Sequence, residues 1–146
     1  MVKKETVIRK LTKLKGYLQE LSTYKDISWE KYTEAFQNQR TVERLIQLIV
    51  DIAVDINTHA LVDHGYSPPS DSYNSFLEAS SRLGLFPESF AQAIAPSTGE
   101  RNIIVHEYEL IDDAIIYNSI GDTLSFYEDY IKHVNAYLNK QPDSAQ

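Results

Sequence analysis

QRTVERLIQLIVDIAVDINTHALVDH, residues Gln39 to His64, is the stretch whose reading decides the fold. Val42, Leu45, Ile46, Leu48, Ile49, Ile52, Ala53, Ile56 and Ala60 recur at three- and four-residue steps and cover well over half of a helix circumference. A helix that apolar is central to its fold, or faces both a core and a partner. Gln47 and Asp51 interrupt its apolar neighbourhood, and no stretch of the chain approaches eighteen uninterrupted apolar residues. With no signal-like run behind the N-terminal lysines, a cytoplasmic protein without membrane contact is expected.

Outward from this helix the periodicity stays helical. Ile8, Leu11, Leu14, Leu18 and Leu21 predict a first amphipathic helix from about Val2 to Lys25. Ser28 is placed to cap a short helix carrying Trp29, Tyr32 and Phe36. After Gly65, the run Ser67-Pro68-Pro69-Ser70-Asp71-Ser72 reads as a loop ending in a capping residue. Helices are expected from Ser72 to Leu83, stopping at Gly84, and from Pro87 to about Ala95. Pro96-Ser97-Thr98-Gly99 reads as a break, followed by helices from Arg101 to about Asn118 and from Asp122 to Asn139. No strand is persuasive. The fold class expected is all-α, an antiparallel bundle of four main helices plus short ones. Residues 1–139 are expected to form one helical domain and 140–146, KQPDSAQ, a frayed tail.

The chain has 146 residues, one domain by size, with 42% hydrophobic residues, well away from disorder. Zero cysteines exclude disulfides, thiolate nucleophiles and zinc knuckles. A net charge of −7 argues, at first reading, against a phosphate-backbone ligand. Yet residues 1 to 15 hold six bases, Lys3, Lys4, Arg9, Lys10, Lys13 and Lys15, against Glu5, a local +5, while the remainder carries −12. That segregation would constrain how a polyanion is held, though a solvated helix face explains it more simply.

The chemistry concentrates in RNIIVHEY, Arg101 to Tyr108. Arg101 is a permanent planar cation suited to phosphate oxygens, and His106 brings an imidazole, the side-chain type suited to general acid–base catalysis. Asn102, four residues before His106, shares its helix face and could orient the imidazole or hold a substrate group. A charge clamp and an acid/base suffice for RNA cleavage without metal, because the 2′-hydroxyl of the substrate is itself the nucleophile. The bland alternative is a helix start with a surface Arg, a satisfied His and a core Tyr. Glu43, Gln47, Asp51, Asp55 and His59 follow at four-residue steps as a polar ridge, either a solvated edge or the lining of a cleft in which Asp51 or Asp55 supports Arg101 or His106. A metal site from Asp55, His59 and Asp63 is allowed by spacing, but no zinc-ligand signature supports it, and none is expected. His64 and His133, near apolar neighbours, read as packing residues.

Arg101, His106 and Tyr108 meet the pattern Arg, four to six residues, His, any residue, Tyr, at its shortest spacing, with Asn102 and Asp112 at positions often filled alike. Together with Arg40-Thr41-Val42-Glu43-Arg44, Gln47, Asp51, Asp55 and His59, and with Tyr73, Phe76, Leu77, Leu83 and Gly84, they cover nearly the full chain. On these residues the chain resembles the HEPN superfamily, specifically the HepT-like toxins encoded beside minimal nucleotidyltransferase antitoxins. The resemblance implies a metal-independent ribonuclease without cofactor, acting on mRNA or tRNA as a homodimer whose paired Arg101 and His106 meet in a cleft. It also implies that Tyr108 is the residue the antitoxin modifies with AMP. Glu100 departs from the pattern by placing a carboxylate beside Arg101 where an apolar residue is usual. On an unbroken helix Tyr108 would turn about 200° away from His106. Either the helix distorts near Glu107, or Tyr108 lies at the cleft mouth. The alternative function is a non-catalytic HEPN-like subunit that binds nucleotide or presents substrate to a nucleotidyltransferase.

Overall fold

The central helix is α3, Phe36–Asp63, which buries Val42, Leu45, Ile46, Ile49, Val50, Ala53, Ile56, Ala60 and Leu61. A computed structural model describes residues 3–142. Helix α3 is long and apolar enough to cross a membrane, but half of its apolar stretch is buried against neighbours: α1 (Lys4–Ser22), α4 (Ser72–Leu83), α6 (Ser97–His106) and α7 (Asp113–Asn139). Short helices α2 (Trp29–Glu34) and α5 (Glu88–Ile94) complete the set. The chain is all-α, with no strand among the described residues.

Helix α1 lays Val7, Leu11, Leu14, Leu18 and Leu21 against α3 and α7. It runs antiparallel to α3, since the Lys3 amide donates to Asp63 while Lys10 reaches Asp55. Helix α7 instead runs parallel to α3. Gln39 meets Asp113, Asn57 meets Tyr130, and His64 meets Tyr137, ascending both helices together. The antiparallel expectation holds for α1 and α3, which only the short helix α2 and its flanks separate; α4, α5 and α6 intervene before α7, and they bring the chain back. Of these, α6 descends along α7, with Ser97 against Tyr127 and Glu100 against Ser119.

A buried polar network fastens α3, α4 and α7. The Tyr130 hydroxyl donates to Asn57 Oδ1 at 2.7 Å and lies 3.1 Å from the Ala53 carbonyl, while Asn57 Nδ2 donates to Ser75 Oγ at 3.2 Å. Each buried polar atom there has a partner, without which its burial would be costly. Tyr130 also meets Phe76 edge-on at 6.0 Å. His133 packs on Phe90 at 4.7 Å, and His64 Nδ1 sits 2.9 Å from the Ala60 carbonyl, so both imidazoles serve packing and helix ends.

Several boundaries differ from the sequence reading. Ser28 caps α2 as expected, its Oγ accepting from the Lys31 amide, but Phe36 opens α3 and is exposed. Asp71 caps α4, and Gly84 ends it with φ +65°, a left-handed conformation that suits glycine. The break expected at 96–99 is shorter and earlier: α5 ends at Ile94 and α6 starts at Ser97, with Ala95 and Pro96 between them in α-region backbone, since proline is tolerated at a helix start where no amide donor is needed. The break expected at 119–121 falls instead at 107–112. There Asp112 Oδ1 accepts from the Ala114 and Ile115 amides and starts α7 eight residues before Ile120. Gly121 stays inside α7 because buried Ile116, Ile120 and Leu124 outweigh its helix penalty of about 1 kcal/mol. Val2, at the expected start of α1, and 143–146 of the expected tail lie outside the described residues.

Candidate functional site

Helix α6 is fixed at its N-terminal end before it delivers any chemistry. Ser97 Oγ shares a 2.6 Å hydrogen bond with the fully buried Tyr127 hydroxyl, and Thr98 is buried, its hydroxyl donating to the Ala95 carbonyl. Burial pushes the Tyr127 phenol well up, so it stays a neutral partner.

One turn on, Arg101 crosses to α3 and α4. Its Nη1 donates to Asp51 Oδ1, its Nη2 to Ser72 Oγ, and its Nε to Asn102 Oδ1 at 3.0 Å. With the side chain only 14% exposed, all three guanidinium nitrogens are engaged and the fork is held in one plane. Asp51, 40% exposed, is thus the acid that holds Arg101, whereas Asp55 is not: it pairs with Lys10 from α1. Asn102 turns to Arg101 rather than to His106, so of the two roles expected for it the orienting of the imidazole is not seen. Ser72 was legible only as part of a loop end; 29 residues from Arg101, it carried no sequence signal of this contact.

The five-residue ridge on α3 does not form one face. Four residues turn a helix by about 400°, so each step drifts about 40° and five positions wind round the helix by about 160°. Glu43 is consequently buried, 3.2 Å from Arg40, and burial raises its carboxyl above the usual range. Asp51 and Asp55 reach the surface, while His59 turns 3.3 Å from Asp63. Among the described residues no group of three or more acids and histidines is placed to hold an ion.

His106 closes α6 and is exposed, with no hydrogen-bond partner among the described residues. Glu107 then leaves helical geometry (φ −136°, ψ 44°), and Tyr108–Leu110 form a single 3₁₀ turn. The distortion near Glu107 and the outward tyrosine therefore occur together: Tyr108 is 72% exposed. Around it Val105, Leu110 and Ile115 are also exposed, an apolar strip beside the motif. Glu100 turns away from Arg101. Ser119 Oγ donates to its carboxylate at 3.0 Å, and burial raises its pKa while that hydrogen bond lowers it.

A family profile described as HepT-like, Ribonuclease HepT-like, matches residues 11–134. A tRNA nuclease HepT of Aphanizomenon flos-aquae is 38% identical over 122 residues, covering 84% of this chain and 82% of that protein. The fold is shared with a tri-AMPylated Shewanella oneidensis HEPN toxin solved in complex with MNT antitoxin (TM-score 0.78, 21% identity, 89% of this chain and 96% of that one). It is shared also with YutE, a cytosolic Bacillus subtilis protein of unknown function (TM-score 0.80, 16% identity, 99% and 98%).

Proposed function

Because this chain belongs to the ribonuclease HepT-like family, we propose that it is the RNA-cleaving toxin of a toxin–antitoxin pair, working without metal at a cleft between two copies. One observation carries the reading: a short helix anchored in the core presents a fully braced Arg101 and, five residues later, an unpartnered His106 at the surface. The first suits charge stabilisation, which rewards preorganisation; the second suits proton transfer, which requires access.

In this reaction one imidazole takes the 2′-hydroxyl proton as O2′ bonds to phosphorus. The P–O5′ bond breaks, and the leaving oxygen receives a proton from the second copy's imidazole. The products are a 2′,3′-cyclic phosphate and a 5′-hydroxyl. Arg101 offsets the charge that builds on the phosphoryl oxygens. The exposed strip of Val105, Tyr108, Leu110 and Ile115 supports the homodimer, since apolar side chains clustered beside a polar motif mark an interaction surface.

Silencing is assigned to AMP transfer onto Tyr108 by a cognate nucleotidyltransferase antitoxin. Its exposed hydroxyl, on a turn rather than a helix, gives a second enzyme access. Substrate is taken from the cytoplasmic RNA pool, tRNA first, following the named activity of the cyanobacterial relative. Digestion of tRNA by wild type and His106→Ala in chelator tests the nuclease: cleavage by the first alone is expected, and equal cleavage by both overturns it. Intact mass after coexpression with the antitoxin tests the modification. An AMP increment that persists in Tyr108→Phe would rule that residue out as the target.

A further inference from the structure

We propose that Lys10 is a second phosphate-binding residue of this site, held by Asp55 until an RNA backbone replaces the carboxylate. The inference rests on the nuclease reading and extends it from the reacting phosphate to its neighbour.

The argument begins on α3. Asp51 and Asp55 are four residues apart, about 5–6 Å between Cβ atoms, and both reach the surface. Arg101 comes to Asp51 from α6, and Lys10 comes to Asp55 from α1. The two acids therefore hold two cations, one from α1 and one from α6, about one helical turn apart along α3.

The two pairs differ in how firmly they are made. Among the described residues Arg101 has three side-chain partners, whereas Asp55 is the single side-chain partner of Lys10. Exposure runs the same way: the Lys10 and Asp55 side chains are 23% and 55% exposed. An exposed ion pair on a flexible four-carbon stem contributes little to stability and is readily exchanged for another anion. A phosphate diester is such an anion, and its binding frees Asp55 to water.

Register supplies the direction. Because α1 is antiparallel to α3, advancing from Lys10 along α1 leads from Asp55 toward Asp51 and Arg101. Exposed Lys13 lies one turn on, with exposed Arg9 behind Lys10. The basic segment of an otherwise acidic chain is thus laid along the approach to Arg101, where polyanion steering is useful.

A purely structural bridge between α1 and α3 makes a different prediction, so a pair of variants separates the two. Binding of a fluorescently labelled single-stranded RNA oligonucleotide is measured by anisotropy on the His106→Ala background, which prevents cleavage. Lys10→Gln is expected to weaken binding about fivefold and to lower the slope of log affinity against log salt by about 0.7. Asp55→Asn, which frees the lysine, is expected to tighten binding by a similar factor, and Lys10→Arg to retain it. Effects of the same sign from Lys10→Gln and Asp55→Asn, or unchanged binding with a lowered melting temperature in both, would overturn the proposal. The nuclease reading is scored separately by wild-type cleavage. If wild type cleaves and Lys10→Gln leaves KM and its salt dependence unchanged, only the Lys10 assignment fails. If the binding shifts appear but no protein cleaves, only the nuclease reading fails.

Discussion

Arg101 and His106 share one ten-residue helix, yet the fold treats them in opposite ways. Arg101 is sunk between α3 and α4 with every guanidinium nitrogen occupied; His106 stands at the frayed end with none of its ring atoms engaged among the described residues. The contrast separates two demands. A group that stabilises charge works best when its dipoles are fixed beforehand, because no reorganisation is then needed during reaction. A group that exchanges protons must meet substrate and solvent, and it adds nothing to the fold that substrate binding would have to undo. Activity and stability should therefore come apart at His106 and travel together at Arg101.

The largest effect tests that division directly. His106→Ala is expected to lower RNA cleavage by about 10²- to 10⁴-fold while leaving the melting temperature unchanged, as read by a cleavage time course and thermal denaturation. A large loss of stability would show that the imidazole is structural after all. Next comes Arg101→Ala, expected to reduce cleavage about 10²- to 10³-fold and to destabilise the fold by about 1–3 kcal/mol, because Asp51 and Ser72 lose a charged partner. Arg101→Lys should recover part of the charge but not the fork, leaving most of the stability deficit in a urea titration.

Tyr130→Phe sets the opposite limit, a change deep in the core. Loss of the hydroxyl strands Asn57 Oδ1 and should cost about 1–2 kcal/mol with cleavage per folded molecule unchanged. The smallest effect concerns Glu43, whose buried carboxyl is raised above its ordinary 4.5 chiefly by burial, with Arg40 pulling the other way. A folded-state pKa above the unfolded value means that folding favours the protonated form. The glutamate's contribution is present below the unfolded value and is lost as pH rises through the folded one. Denaturant midpoints from pH 4 upward should fall for wild type relative to Glu43→Gln, which cannot ionise; parallel curves would disprove the shift.

The helices themselves were readable because apolar periodicity is a local record of burial. Leu11, Leu14 and Leu18, or Ile49, Ala53 and Ile56, needed no knowledge of their neighbours. Breaks were harder, because a break is a contest between local and distant terms. Pro96 parts α5 from α6 by only two residues and Gly121 ends no helix, whereas Asp112, an acid inside an apolar run, starts α7 by capping two amides. The site divides in the same way. RNIIVHEY was conspicuous, and Asp51 was a candidate for holding Arg101, but the contact of Asn102 with the neighbouring Arg101 was not legible from its spacing to His106. Asp55 was grouped with Asp51 by spacing, and the fold gives it to α1.

By itself the amino-acid sequence determined an all-α chain around one apolar helix, an arginine–histidine pair at helical spacing, and a basic segment in an acidic protein, since each is written in residues close together along the chain. Only the tertiary structure decided which carboxylate braces Arg101, that Ser72 joins it, that Glu100 turns away to Ser119, and that Tyr108 faces water on a turn. The three contacts join side chains 19 to 50 residues apart and depend on the angle at which packing sets one helix against another. Spacing along one helix carries no record of either.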